Sequence, residues 1–406
     1  MRPTPWLGLL LSCGVPRARP GLVPGRPRPP ELVSPALEPP VALVPATRLG
    51  HPARTMLERL IPHLRAGAAL APADIASALD ALTDEALPAE VKADFLTALA
   101  AKGETPEEIH GFAAGMRARA VPLEVPAEVR TRGVLDVVGT GGDRLGTLNL
   151  STAAALVAAA AGVPVAKHGN RAVTSRAGSA DVLAALGVPI ELPPVRAAQA
   201  LQQHGFVFLL APRYHPAFRA VAPARQLCAA RGQHTLFNLL GPLLNPARPD
   251  FQLLGVPAPR WCEPFARVLQ QLGVQRGLVV CGAAGRRADG SPAYLDEISP
   301  LGETTLASFL PGGPVQVHRL DPREFPLQAA RVEDLQGGEA ATNAAALRAI
   351  FTGADRGPRR DAVLLNAAGA LLVAGRAASW YDGWVAAEAL LDSGAVARKL
   401  EELTAP

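Results

Sequence analysis

The chain has 406 residues, too many for one ordinary hydrophobic core, so we expect two domains. Hydrophobic residues make up 49% of the chain, enough for a sizeable core, yet no apolar run reaches the roughly 18 residues that a membrane span requires. Residues 1–55 carry seven arginines against two acids, a net charge of +5, which leaves −1 for the rest of a chain whose total is +4. The absence of a long apolar run argues against a membrane protein. The charge distribution argues against a basic, nucleic-acid-binding body.

Residues 1–55 hold thirteen of the forty prolines, a density that prevents regular helix formation and predicts a disordered Pro/Arg-rich leader. The apolar stretch Trp6–Leu11 is shorter than the core of a secretory signal. Met56 opens the first well-patterned segment and is our preferred candidate for the true translation start. The four cysteines show no metal-binding spacing and are too few for a disulfide framework, so we expect a cytoplasmic protein.

Residues 56–125 are predicted to form a small helical domain. Leu57, Leu60 and Leu64 recur at helical spacing, and similar patterns follow Pro72 and Pro88. The sequence Thr105-Pro-Glu-Glu108 places an N-cap residue, a proline and acids in the order that favours a fourth helix.

Residues 126–406 alternate short β-type runs with alanine- and leucine-rich helices, which predicts an α/β domain with a largely parallel sheet. The predicted strands are Val134–Val138, Val163–Ala166, Phe206–Leu210, Gln252–Val256 and Leu278–Cys281.

A glycine-rich loop follows the first predicted strand. Gly139-Thr-Gly-Gly-Asp143 can expose its backbone N–H groups, and the alanine-rich helix 153–161 comes soon after, with Asn149 or Ser151 as its predicted N-cap. A second polar loop after the next strand carries Lys167 and Arg171, two cations that we expect to neutralise a polyphosphate. The two loops together predict an anion-binding site at one edge of the sheet.

These motifs resemble those of the anthranilate phosphoribosyltransferases of tryptophan biosynthesis. The matching segments are DVVGTGGD (136–143), NLST (149–152), KHGNRAVTSRAGSAD (167–181), HPAFRAVAPAR (215–225), TLFNLLGPLLNPA (235–247) and LDEIS (295–299). The resemblance covers roughly residues 56–402. It implies the nucleoside phosphorylase/phosphoribosyltransferase fold, in which a small N-terminal α-helical domain joins a larger α/β domain. It also implies a homodimer and transfer of phosphoribose from 5-phospho-α-D-ribose 1-diphosphate to anthranilate.

The resemblance also implies residue roles. The donor would contact Gly139, Gly142, Asp143, Thr147, Asn149, Leu150, Ser151, Thr152, Lys167, His168, Gly169, Asn170, Arg171, Ala172, Val173, Thr174, Ser175 and Ser179. Anthranilate would contact Gly139, Asn170 and Arg225, and two Mg²⁺ ions per monomer would be bound through Ser151, Asp296 and Glu297.

No nucleophile pair is evident, so catalysis by position and electrostatics is the working hypothesis. His168 is either a general base or a residue that shapes its loop. Two alternatives stay open: a pyrimidine-nucleoside phosphorylase-like enzyme, and a non-catalytic nucleic-acid-binding relative of the same fold. We expect neither nucleic acid nor membrane as a partner.

Two segments depart from the pattern that the resemblance implies. The chain has about three additional residues within Gln226–His234, and the loop between Cys281 and Asp296 is longer and carries Arg286 and Arg287. These changes either alter the acceptor preference or only lengthen surface loops.

Overall fold

The computed structural model describes residues 52–143, 145–172, 176–287 and 289–405. Almost all of the predicted leader, together with the predicted donor contacts Val173, Thr174 and Ser175, therefore lies outside the described residues. Within the described ranges, no helix is both long enough and apolar enough to cross a bilayer.

Four helices open the described chain, as predicted: α1 (Pro52–Arg65), α2 (Pro72–Thr83), α3 (Ala89–Lys102) and α4 (Pro106–Ala118). The predicted cap of α4 is confirmed. The Glu108 amide donates to Thr105 Oγ1 at 3.2 Å, and the Thr105 amide donates to Glu108 Oε2 at 2.9 Å. The first helix begins at Pro52, four residues before Met56.

The remaining helices are α5 (Ala127–Arg130), α6 (Leu150–Ala160), α7 (Ser179–Leu186), α8 (Pro194–His204), α9 (Ala211–Tyr214), α10 (Phe218–Ala230), α11 (Leu236–Leu240), α12 (Cys262–Gln271), α13 (Ala340–Phe351), α14 (Pro358–Val373), α15 (Trp380–Asp392) and α16 (Ala395–Thr404).

The sheet has eight described strands: β1 (Leu135–Gly139), β2 (Val165–Gly169), β3 (Phe206–Leu210), β4 (Phe251–Gly255), β5 (Arg276–Arg286), β6 (Pro292–Leu295), β7 (Thr304–Phe309) and β8 (Gln316–Leu320). Their order is β3-β2-β1-β4-β5-β7-β8, and β6 pairs with β5 as a hairpin. The first five strands are mutually parallel and correspond to the five predicted strands. The antiparallel strands β6, β7 and β8 were not identified from the sequence.

Helices cover both faces of the sheet. On one face, α6 packs against α14 in a large apolar core that includes Leu156 and Leu364. On the other face, α1–α4 share a core with α10 and α12, in which Phe95 and Phe112 are fully buried. The helical bundle is therefore continuous with the core of the α/β part.

Polar contacts also join the bundle to the α/β part. Lys92 on α3 is 1% exposed, and its Nζ donates at 2.7 Å both to the Asp84 carbonyl and to the Ala220 carbonyl on α10. Arg117 Nε on α4 donates to the Leu243 carbonyl at 2.5 Å. The Lys92 bond fixes the bundle against α10, the helix that carries Arg225.

Strand β4 ends at Gly255, directly beneath the Asp296 backbone. A Cβ atom added to Gly255 would overlap the Asp296 carbonyl group, so Gly255→Ala must displace one of the two backbones. We expect this variant to lose about 2 kcal/mol or more of unfolding free energy. Gly241→Ala is the control, because nothing lies within 4 Å of the added Cβ there. Urea unfolding of both variants measures the difference; equal stabilities would contradict the close approach.

Candidate active site

Three parallel strands end in glycine at one edge of the sheet: β1 at Gly139, β2 at Gly169 and β4 at Gly255. Gly139 and Gly255 are paired directly in register. Ligands bind at the carboxyl ends of strands in open α/β sheets, so this edge is the natural place for a site.

The segment Asp296-Glu297 follows β6 and crosses this edge. A Cβ on Gly139 would lie 2.7 Å from Asp296 Oδ2, so the strand ends leave room for the acid only because they lack side chains. Asp296 is 7% exposed. The structure thus brings the predicted metal ligand Asp296, from far along the chain, onto the predicted donor loop.

Hydrogen bonds fix the acidic pair. Asp296 Oδ2 accepts from the Gly141 amide at 2.5 Å and from Thr140 Oγ1 at 3.3 Å. Glu297 Oε1 accepts from the Ser151 amide at 3.1 Å, in the first turn of α6. One carboxylate therefore holds the glycine loop, while the other occupies the positive end of a helix.

A third carboxylate, that of Asp143, faces this pair. The pKa of Asp143 is raised to about 7, mainly by burial and to a lesser extent by the negative charge of Asp296. The same two causes raise the pKa of Glu297 to about 8. Carboxyl groups that repel one another in a buried place are suited to a divalent cation.

The carboxylates do not form a complete cage. In the part of the chain that the structure describes, no group of three or more His, Cys, Asp and Glu side chains meets the geometry of a metal site. Mg²⁺ differs from zinc here, because it is usually held by one or two carboxylates with substrate phosphates and waters as the other ligands. The residues therefore fit magnesium held jointly with a phosphorylated substrate.

The side chain of Lys167 is buried. It is 1% exposed, and its Nζ donates to the Val137 carbonyl at 2.5 Å and to Ser151 Oγ at 3.4 Å. Burial lowers its pKa, against the opposing charges of Asp136 and Glu297. The sequence predicted a strand ending at Ala166 with Lys167 in the loop after it, whereas β2 continues through Lys167 and this residue is buried. Its contact with the donor stays a prediction.

The start of α6 also differs from the prediction. The helix begins at Leu150, and its N-cap Asn149 makes no side-chain capping bond. Asn149 instead donates to the Ala177 carbonyl at 3.3 Å and accepts from Asn343 Nδ2 at 2.9 Å. Asn149, one of the two predicted candidates, is therefore the N-cap residue, but its side chain is engaged elsewhere, and the Ser151 amide bonds to Glu297.

Leu150 and Thr152 are fully buried, and their contacts with the donor stay predictions. Thr147 pairs across an isolated bridge with Gln336, and Gly142 lies against Pro257.

The second loop is held by Asp181. Its Oδ2 accepts from the Ala172 amide at 2.8 Å and from the Gly178 amide at 3.0 Å. The Arg171 guanidinium contacts Asp181 at 3.2 Å and Glu191 at 3.0 Å, so two carboxylates already engage this predicted donor cation. Asn170 is exposed, and Ser179 begins α7 directly beside Gly169.

Arg225 is connected to the strand edge through aromatic rings. Its guanidinium lies 5.9 Å from the centroid of the Phe218 ring. The Phe218 ring contacts His215, and the His215 ring in turn contacts His168, with 5.1 Å between the two imidazole centroids. Burial lowers the pKa of Arg225. Among the described residues Arg225 has no carboxylate partner, which leaves the cation available to an acidic substrate.

Burial and the neighbouring cations determine the state of the imidazoles. The pKa of His168 falls to about 3, first because it is buried and then because of His215, and burial lowers that of His215 to about 4. Both rings are therefore neutral at physiological pH. A group with so low a pKa is a weak base there, which favours the loop-shaping interpretation of His168.

Two asparagines on the C-terminal helices support the site and were not predicted from the sequence. Asn366 on α14 accepts from the Ile298 amide and donates to the Ile298 carbonyl, each at 2.9 Å, and so fixes the backbone after Glu297. Asn343 on α13 donates to Asn149. A lone asparagine within the apolar stretch of α14 was the available signal for Asn366; nothing in the sequence singles out Asn343.

Comparison with known proteins agrees with this architecture. Residues 58–120 match the helical bundle domain of the glycosyl transferase family, and residues 131–397 match its a/b domain. Fold and site thus define a glycosyl transferase with a bundle and an α/β domain.

Individual relatives point to one kind of enzyme within this class of glycosyl transferases. An anthranilate phosphoribosyltransferase from Thermomicrobium roseum is 48% identical over 336 residues, 81% of this chain and 92% of the relative. One from Azospirillum brasilense is 46% identical over 350 residues, 86% of this chain and 92% of the relative. The crystal structure of the Thermus thermophilus enzyme has a TM-score of 0.74 at 43% identity and covers 85% of this chain and 98% of that one.

A Saccharomyces cerevisiae enzyme in complex with PRPP and Mg has a TM-score of 0.74 at 26% identity, covering 86% of this chain and 97% of its own. The chain belongs to the anthranilate phosphoribosyltransferase family.

The neutral histidines predict a pH dependence of stability. Because the folded pKa of His215 lies below its unfolded value of about 6.5, the unfolded chain takes up the proton first as pH falls, and stability is lost below about pH 7. His215→Phe removes this proton uptake and keeps a ring beside Phe218. Between pH 6 and 5 we expect the wild type to lose roughly 1 kcal/mol more unfolding free energy than the variant. Chemical denaturation at each pH tests this; parallel losses would contradict a buried neutral His215.

Proposed function

We propose that this chain transfers the phosphoribosyl group of 5-phospho-α-D-ribose 1-diphosphate to anthranilate, giving N-(5-phosphoribosyl)anthranilate and diphosphate. The observation that carries the proposal is the meeting of the glycine loop, the Asp296-Glu297 pair and the N-terminus of α6 at one sheet edge. Arg225 lies beyond two histidines on the same side. Anionic donor and carboxylate acceptor thus each have a matching environment.

The donor would lie along the strand ends. The loop from Gly139 to Asp143 and the first turn of α6 would border its phosphates, together with Thr147, Asn149 and Ser151. Yeast relatives support both substrates, since one is described in complex with PRPP and Mg and another with 4-fluoroanthranilate.

Magnesium is part of the proposal, with two ions per monomer bound through Ser151, Asp296 and Glu297. Bound there with the donor, it would neutralise negative charge on the departing diphosphate. The observation that favours the site is the raised pKa of Asp143 and of Glu297, caused by burial and by the charge of Asp296.

The residues of the chain act by position. Arg225 would hold the anthranilate carboxylate and direct the amine towards C1 of the ribose. His168 and His215 are neutral and add no charge to the site. An aromatic amine requires no deprotonation before attack, so the proton leaves after the bond to C1 forms. Attack opposite the diphosphate gives inversion at C1.

The proposal also covers the domain boundaries, the oligomeric state and the cellular location. We propose domains at residues 56–125 and 126–406, a homodimer, and a cytoplasmic location. Light scattering on the purified full chain measures the mass of the assembly, and a monomer at micromolar concentration would contradict the dimer.

The activity is tested by following anthranilate fluorescence with the full chain, the donor and Mg²⁺. We expect loss of fluorescence that requires all three components. Phosphorolysis of thymidine and retention on DNA at physiological salt are the parallel assays for the two alternatives. Activity in either of those assays without anthranilate consumption would overturn the proposal.

Glu297→Gln keeps the shape of the side chain and the bond from the Ser151 amide but removes its charge. We expect kcat to fall by about 100-fold or more, because the diphosphate loses charge compensation in the transition state. Glu303→Gln is the control, since Glu303 forms a surface ion pair with Arg319. If both variants retain wild-type turnover, the assignment of Glu297 is refuted.

A further inference from the structure

The long turn between β5 and β6 lies beside the glycine loop. Within this turn, the Arg287 amide donates to the Ser291 carbonyl at 2.8 Å, and the Gly290 amide donates to the Arg287 carbonyl at 2.9 Å. Asp289 Oδ1 accepts from both the amide and the hydroxyl of Ser291. The backbone of Arg287 is therefore held at both of its polar groups.

Apolar contacts place the hairpin against the site. Ala284 on β5 and Ala293 and Leu295 on β6 form a small buried cluster, and Leu145, two residues after Asp143, packs against it. The glycine loop and the hairpin thus share a core, which limits how far one can move from the other.

The Arg287 side chain crosses from the hairpin to the loop. Its Nη2 donates to the Asp143 carbonyl at 3.0 Å, and the residue is half-buried. The guanidinium also lies close to the Asp143 carboxylate, on which its charge acts against the effects of burial and of Asp296. A charge-assisted bond to a backbone carbonyl fixes the loop without engaging a side chain that the donor would use.

The neighbouring Arg286 has no such role. It is exposed, and its Nη1 donates to the Gly290 carbonyl at 2.7 Å, inside its own turn. Of these two adjacent arginines of equal charge, only Arg287 bonds to the glycine loop among the described contacts.

We propose that Arg287 is a positioning residue for the donor-binding loop. It holds the Asp143 carbonyl and thereby keeps the segment Gly139–Asp143 in the conformation that binds the diphosphate of the donor. The loop contains three glycines, so without this bond donor binding must also supply the free energy that orders the loop. This inference rests on the proposed function and assigns the lengthened hairpin a part in it.

The test compares Arg287→Gln, Arg287→Lys and the control Arg286→Gln in the full chain by steady-state kinetics. For Arg287→Gln we expect a donor KM about tenfold higher, with kcat and the anthranilate KM within about twofold of wild type. Arg287→Lys should recover most of the donor KM, and Arg286→Gln should match wild type. An unchanged donor KM in Arg287→Gln, an equal loss in Arg286→Gln, or a loss in kcat alone overturns the proposal.

Amide hydrogen exchange without substrate provides a second measurement. Arg287→Gln and Arg287→Met, which keeps the apolar stem, should both speed exchange in the peptide containing residues 139–146, whereas Arg286→Gln should not. Unchanged exchange in both Arg287 variants overturns the proposal. A wild-type chain without transferase activity overturns the proposed function and this inference together. An active wild type with an Arg287→Gln variant of normal donor KM overturns this inference alone.

Discussion

The arrangement of this molecule depends on the passage of one acidic segment over the ends of two strands. Asp296 lies on Gly139 and Gly255, where even a methyl group would collide with it. Its carboxylate accepts from the Gly141 amide, and the next residue bonds to the start of α6. The glycine loop, the N-terminus of α6 and the acidic pair are therefore one unit, although they come from distant parts of the sequence.

This unit is electrostatically unfavourable on its own. Three carboxylates lie together in a partly desolvated place, and two of them have a raised pKa because of burial and the charge of Asp296. The buried ammonium of Lys167 offsets part of this charge from beneath. Asn366 holds the adjacent backbone at Ile298 with two hydrogen bonds. A site held in this state is pre-organised for a cation carried in with a phosphorylated substrate.

Local patterns allowed the elements of this fold to be predicted, whereas long-range contacts did not follow from them. The four bundle helices, the cap at Thr105 and the five parallel strands each depend on residues close in sequence. Asn149 is the N-cap residue of α6, but its side chain bonds to Asn343, which lies 194 positions away, and that contact did not follow from the local sequence. Lys167 was predicted to lie in a loop after a strand ending at Ala166, yet β2 extends through Lys167, which is buried. The pairing of Asp296 with the glycine loop followed from family resemblance and not from composition.

The central claim is that the donor and a divalent cation complete this buried acidic site together. Calorimetric titration of the full chain with 5-phospho-α-D-ribose 1-diphosphate, once with Mg²⁺ and once with a chelator, tests it most directly. The account predicts binding that is about 100-fold or more weaker in the chelator, because the phosphates then face uncompensated carboxylates. Equal affinity under the two conditions would contradict it.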